Sequence, residues 1–158
     1  MKEVKYVDLT DLQRQALDEA ARVMENAYNP YSHFYVGACL ISVDGRLIGG
    51  ANVENSAYGS TICAERAAIL RANAMGIRIF RGVAIIGRGE NFNTTEVTGP
   101  CGSCRQMLYE VAQLSEYDLE MVMSTTKKDK IIVAAMEELL PLAFGPMNLG
   151  ADISKYQK

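Results

Sequence analysis

Three of the four cysteines in this chain fall in two short clusters, Cys63-Ala64-Glu65 and Pro100-Cys101-Gly102-Ser103-Cys104. This constrains the fold more than any other feature, because the clusters make chemical sense only if the chain brings them together. Three thiolates fill three of the four positions that zinc prefers. Glu65 lies two residues from the first sulfur, close enough to serve a fourth position left to water. A metal site with one open position is catalytic in layout, whereas a structural site is closed by four protein ligands. Cysteines in CxxC spacing also point to metal or redox chemistry before disulfides in a reducing compartment.

Local signals place both clusters at helix starts. Residues 61–75 form a predicted helix with Gly76 as its C-terminal cap, and Pro100 opens another running to about Leu114. Cys101 and Cys104 stand three apart, so one helix face can present both to one ion. Helix N-termini carry partial positive charge and favour thiolates. Cys39 stands apart in the apolar stretch Val36 to Val43 and reads as a small core residue.

Elsewhere, apolar residues at three- and four-residue steps predict a helix over 8–28, ended by Asn29-Pro30. Strands are expected over 36–43 and 46–52, joined by a two-residue hairpin at Asp44-Gly45. The all-apolar run 82–87 suits a central buried strand, and the polar residues 88–99 form a loop. Two further strands, 120–124 and 130–133, precede a short helix over 135–140 stopped by Pro141. The last dozen residues read as loosely structured. The order αββαβαββα implies a mixed sheet with helices on both faces. No repeat or linker divides the 158 residues, so one domain over 1–158 is expected.

Composition narrows the partners. The net charge of −3 and scattered Lys and Arg lack the basic stripe that backbone neutralisation demands, which argues against a nucleic acid substrate. No apolar stretch is long enough to span a bilayer, so no membrane partner is expected. The N-terminus lacks the apolar core of a signal peptide, and a cytoplasmic location follows by default.

A glutamate beside the first ligand and a PCxxC second motif form the zinc-deaminase signature. The chain resembles the cytidine deaminases, in their homotetrameric three-cysteine branch, over about residues 15 to 150. Further segments carry the resemblance: Asn52-Val53-Glu54, Pro30-Tyr31-Ser32-His33-Phe34, and Leu139-Leu140-Pro141 to Phe144-Gly145-Pro146. It implies an α/β fold, a three-layer α/β/α sandwich around a five-stranded mixed sheet. It implies one Zn²⁺ per subunit on Cys63, Cys101 and Cys104, with Glu65 moving protons between water, the pyrimidine ring and the leaving amine. Asn52 and Glu54, which alternate and so face the same way, would hold the ribose 3′-hydroxyl. Phe34 would pack on the base, with Ala64 and Tyr58 also at the substrate. Phe144 would reach into a neighbouring subunit, giving a homotetramer with shared active sites. His33 falls at a variable position and is expected to be exposed.

Three thiolates around Zn²⁺ leave a net negative charge that weakens the metal as a Lewis acid. The family resemblance assigns the offsetting role to Arg66, which would donate hydrogen bonds to the sulfurs. One departure is Gly99, where the family usually has Ser or Thr; residues 89–98 and those after Gly150 are not clear matches either.

The expected activity is hydrolytic deamination of cytidine and 2′-deoxycytidine in pyrimidine salvage. A relative acting on a modified cytosine nucleoside, such as blasticidin S, is the alternative enzyme; intact Asn52 and Glu54 argue against it. A zinc-stabilised protein without activity would need a fourth ligand, and Cys39 is the remaining thiol.

Overall fold

The computed structural model describes residues 1–157. Ten helices and strands position the site: β1 (Lys2–Val4), α1 (Asp11–Met24), β2 (Phe34–Ser42), β3 (Leu47–Ala51), α2 (Ala64–Ala74), β4 (Phe80–Gly89), α3 (Gly102–Ser115), β5 (Glu120–Ser124), β6 (Ile131–Ala135) and α4 (Met136–Leu139). The strands form one mixed sheet in the order β1-β6-β5-β4-β2-β3. Among the strands of the described residues, only the β4–β5 pair is parallel. Such a pair needs a crossover connection, which α3 supplies.

The sheet has six strands, which corrects the expectation of five. The extra strand is β1, whose Lys2 and Val4 pair with Val133 and Ile131. A three-residue Lys-Glu-Val segment has no readable period, so its pairing depends on β6 offering a free edge.

The bounds of α1 and of the β2–β3 hairpin differ for physical reasons, and β4 runs on to Gly89, into the expected loop. Helix α1 starts later than expected because Thr10 caps it. The Thr10 hydroxyl accepts from Gln13 N at 3.2 Å, and Gln13 Oε1 accepts from Thr10 N at 2.7 Å. It ends earlier because the following backbone joins β3's extension. Tyr28 N donates to Asn52 O at 3.0 Å, and Glu54 N donates to Tyr28 O at 2.7 Å. The β2–β3 hairpin closes on Ser42 N donating to Arg46 O, leaving residues 43–45 as a three-residue loop with Gly45 at φ 85°. That geometry is a turn ended by a left-handed residue, and it replaces the expected two-residue loop.

The Gly76 cap is present as expected, with φ 75°. Ile77 N donates to Ala72 O and Gly76 N to Asn73 O, the paired bonds that close a helix on a left-handed glycine.

Alternation along the strands sorts side chains into two cores. Ala38, Leu40, Val83, Ile85, Met121 and Met123 share one core with α2 and α3. Cys39, Ile41, Ala84, Ile86 and Val122 share the other with α1. Cys39 is fully buried on the α1 side, and burial pushes its thiol up to about 12.

Candidate active site

The N-termini of α2 and α3 converge, with Cys63 and Cys101 as their respective N-caps. Pro100 therefore stands just outside α3, which starts two residues later than expected, at Gly102. Two contacts fix the approach to α2. Val53 and Ile62 exchange backbone hydrogen bonds at 2.9 Å, and α2 packs tightly on β3. A Cβ on Gly50 would lie 2.7 Å from the Ala64 carbonyl oxygen and would also strike the Ala68 nitrogen. Only glycine permits this approach.

This convergence brings the three sulfurs of Cys63, Cys101 and Cys104 within 4.8 Å of one another. Cys63 Sγ and Cys101 Sγ are 3.8 Å apart. Tetrahedral ligands at a zinc–sulfur distance of about 2.3 Å sit about 3.8 Å from each other, so the set fits zinc. The Cys63 thiol is pulled down to about 5, chiefly by a hydrogen bond from Cys104 and then by Arg66 and Cys101. Cys104 is pushed up, because it holds its proton against the Cys63 thiolate and is buried. The downward pull on Cys63 favours its thiolate, the form that binds a cation.

Arg66 lies against these sulfurs. Its Nη2 donates to the Thr61 carbonyl at 2.9 Å and to Cys63 Sγ at 3.7 Å. Its Nε is buried without a partner, which suits a site whose sulfurs all become acceptors once ionised. Glu65 is buried in the first turn of α2. Burial, with the negative Cys63 beside it, pushes the Glu65 carboxyl up. A carboxyl tuned upward can both take and release a proton near neutrality.

Asn52 and Glu54, expected to hold the ribose 3′-hydroxyl, also bind backbone within this chain. Asn52 Nδ2 donates to Phe34 O at 3.0 Å, and Asn52 Oδ1 accepts from Val36 N at 2.9 Å. Glu54 Oε2 accepts from Tyr31 N at 2.9 Å and Ser32 N at 3.1 Å. Both side chains therefore point at residues 31–36 and hold the segment that carries Phe34. An amide still has one N–H and one lone pair to spare, and a carboxylate has a second oxygen.

Phe34 is half-buried, with its ring 6.2 Å from that of Phe92. Tyr58 is exposed and meets Tyr31 edge-on at 5.6 Å. Ala64 is buried at the first position of α2. His33 is exposed, as expected, and lies beside Glu90. Phe144 is 58% exposed at the far end of the chain, away from any packed core.

Sequence reading missed two parts of this arrangement. The Thr61 carbonyl orients Arg66, and backbone acceptors carry no residue signature. Arg105 and Gln106, directly after Cys104, reach the C-terminal segment; their adjacency to Cys104 is the one sequence signal for it.

Comparison with known proteins agrees with this geometry. The family description "Cytidine and deoxycytidylate deaminase zinc-binding region" matches residues 10–116. The cytidine deaminase of Halalkalibacterium halodurans is 40% identical over 134 residues, covering 84% of this chain and 95% of its own length. A probable cytidine deaminase of Dictyostelium discoideum is 35% identical over 135 residues, 85% of each chain. The crystal structure of cytidine deaminase from Burkholderia pseudomallei superposes with a TM-score of 0.75 at 38% identity, over 86% of this chain and all of that one. A thiol triad beside a buried glutamate, in a fold shared with these proteins, shows that the chain belongs to the cytidine and deoxycytidylate deaminase zinc-binding family.

Proposed function

We propose that this protein is a zinc-dependent deaminase that hydrolyses cytidine and 2′-deoxycytidine to uridine and 2′-deoxyuridine with release of ammonia. The observation that carries this reading is the cluster of Cys63, Cys101 and Cys104 beside buried Glu65, in a chain whose relatives are named cytidine deaminases. No observation favours blasticidin S as the substrate.

Cys63, Cys101 and Cys104 would hold the ion. Zinc held there would supply Lewis acidity that brings the pKa of water down toward neutrality. Glu65 takes one proton from the attacking water and delivers it to the ring nitrogen next to C4 as the water oxygen bonds to C4. It then takes the second proton from that new hydroxyl and delivers it to the amine as the C4–amine bond breaks and the C4 carbonyl forms. Its burial supports this role by keeping bulk water from levelling its pKa. Arg66 offsets the excess negative charge of the sulfurs. Phe34 packs on the base, with Ala64 and Tyr58 beside the substrate. Asn52 and Glu54 hold the Phe34 segment, and their remaining acceptor and donor capacity serves the sugar hydroxyls.

The two cores on opposite sheet faces support a three-layer α/β/α sandwich, and the continuous six-stranded sheet supports one domain. We also read the protein as a homotetramer in which Phe144 enters a neighbour's site. The exposure of Leu142, Phe144, Met147 and Leu149 in one segment supports a covering partner. Free thiols suit a reducing cytoplasm.

An absorbance assay with cytidine, deoxycytidine, cytosine and blasticidin S tests the substrate class. Turnover of both plain nucleosides is expected. Turnover of free cytosine alone would sink the nucleoside reading.

A further inference from the structure

The two residues after the last sulfur ligand both leave the metal end of α3 and bind the C-terminal segment. Arg105 Nε donates to the Pro100 carbonyl at 2.9 Å, and its Nη1 donates to the Leu139 carbonyl, also at 2.9 Å. One guanidinium thus joins the turn that delivers Cys101 to the end of α4. Gln106 Nε2 donates to the Phe144 carbonyl at 2.8 Å. These bonds grip the segment at both ends of residues 139–144.

Packing reinforces the grip one helical turn further on. A Cβ on Gly145 would lie 2.8 Å from a Tyr109 ring carbon and 2.5 Å from Gln113 Oε1. Gln113 Oε1 also accepts from Met147 N at 3.4 Å. The backbone of residues 144–147 is therefore laid along one face of α3. Between these clamps the side chains are free: Leu142 is fully exposed at φ 53° and Phe144 is 58% exposed. A bulky aromatic side chain pointing away from its own core, on backbone fixed by four α3 residues, is a mounted element and not a frayed tail.

We propose that Gln106 and Arg105 are positioning residues. They fix the backbone from which Phe144 leaves this subunit's α3, so that the ring arrives correctly at the substrate base in the neighbouring subunit's site. This rests on the reading that Phe144 contacts substrate. Neither residue touches the reacting atoms. Their effect passes through the Phe144 backbone, so it falls on substrate binding before the chemical step.

The test is a double-mutant cycle on the zinc-loaded protein with cytidine. Gln106→Ala is exposed enough to fold, and Gln106→Glu keeps the side-chain size while removing the donor. Each is expected to raise KM about three- to tenfold with kcat little changed, the loss that one misplaced aromatic contact produces. In the Phe144→Ala background, adding either substitution is expected to change KM no further, because residues acting through one contact are not additive. Zinc content stays at the wild-type level in all variants. A KM within about twofold of wild type for Gln106→Glu, or effects that multiply in the double variant, would overturn the proposal. Failure of the underlying function shows separately, as a wild-type protein that does not turn over cytidine.

Discussion

Arg66 Nη2 lies 3.7 Å from Cys63 Sγ while donating to the Thr61 carbonyl at 2.9 Å, so one guanidinium is fixed by the loop and spends its charge on the metal ligand. Arg66→Ala leaves all three sulfurs in place. Zinc content by metal analysis is expected to stay near one per chain, while kcat falls about 10–100-fold, as for loss of other groups that tune a metal's ligands. Full activity with full zinc would remove the role.

Glu65→Gln changes one oxygen for nitrogen inside a buried position and keeps the helix and the sulfurs intact. It removes the carboxylate that the proposed proton relay uses. Turnover is expected to fall roughly 10²–10⁴-fold or more with zinc retained. Substantial activity in that variant would mean that another group moves the protons.

Asn52→Ala strips two backbone groups, Phe34 O and Val36 N, of their partner. The expected loss is about 1–3 kcal/mol of stability, read by denaturant unfolding, together with a raised KM because Phe34 loses its anchor. A raised KM at unchanged stability would mean that Asn52 serves the sugar alone.

Gly50→Ala tests how the sheet sets the site. The added methyl meets the Ala64 carbonyl and the Ala68 nitrogen, so α2 must lift from β3. A cost of about 1–3 kcal/mol and weaker zinc retention under chelator are expected together, since Cys63 caps the displaced helix. Lower stability with wild-type zinc retention would show that α2 tilts without moving its first turn.

Cys39 lies in the α1 core and cannot join the other thiols. Cys39→Ala is expected to keep full zinc. In the native protein stripped of zinc, a thiol reagent should modify Cys63 and Cys101 and spare Cys39, whose thiol is buried and pushed up to about 12. Loss of zinc in Cys39→Ala would instead favour a closed structural site.

The site's chemistry is legible in residue type and spacing: three soft ligands, a glutamate two residues from the first, and an arginine after it are local facts. The elements with strong local signals, such as strand Glu120–Ser124 and the Gly76 cap, are legible there too. Tertiary structure decided what depends on distant partners. Strand β1 exists only because β6 has a free edge, and α1 stops at Met24 because Tyr28 bonds to Asn52 and Glu54. The backbone contacts of Asn52 and Glu54 are not legible in the sequence, because spacing shows which side chains share a face, not which backbone groups come to meet them. The convergence of two helix ends on one 4.8 Å cluster is likewise a product of the fold, set by close contact at Gly50 and by the β4–α3–β5 crossover.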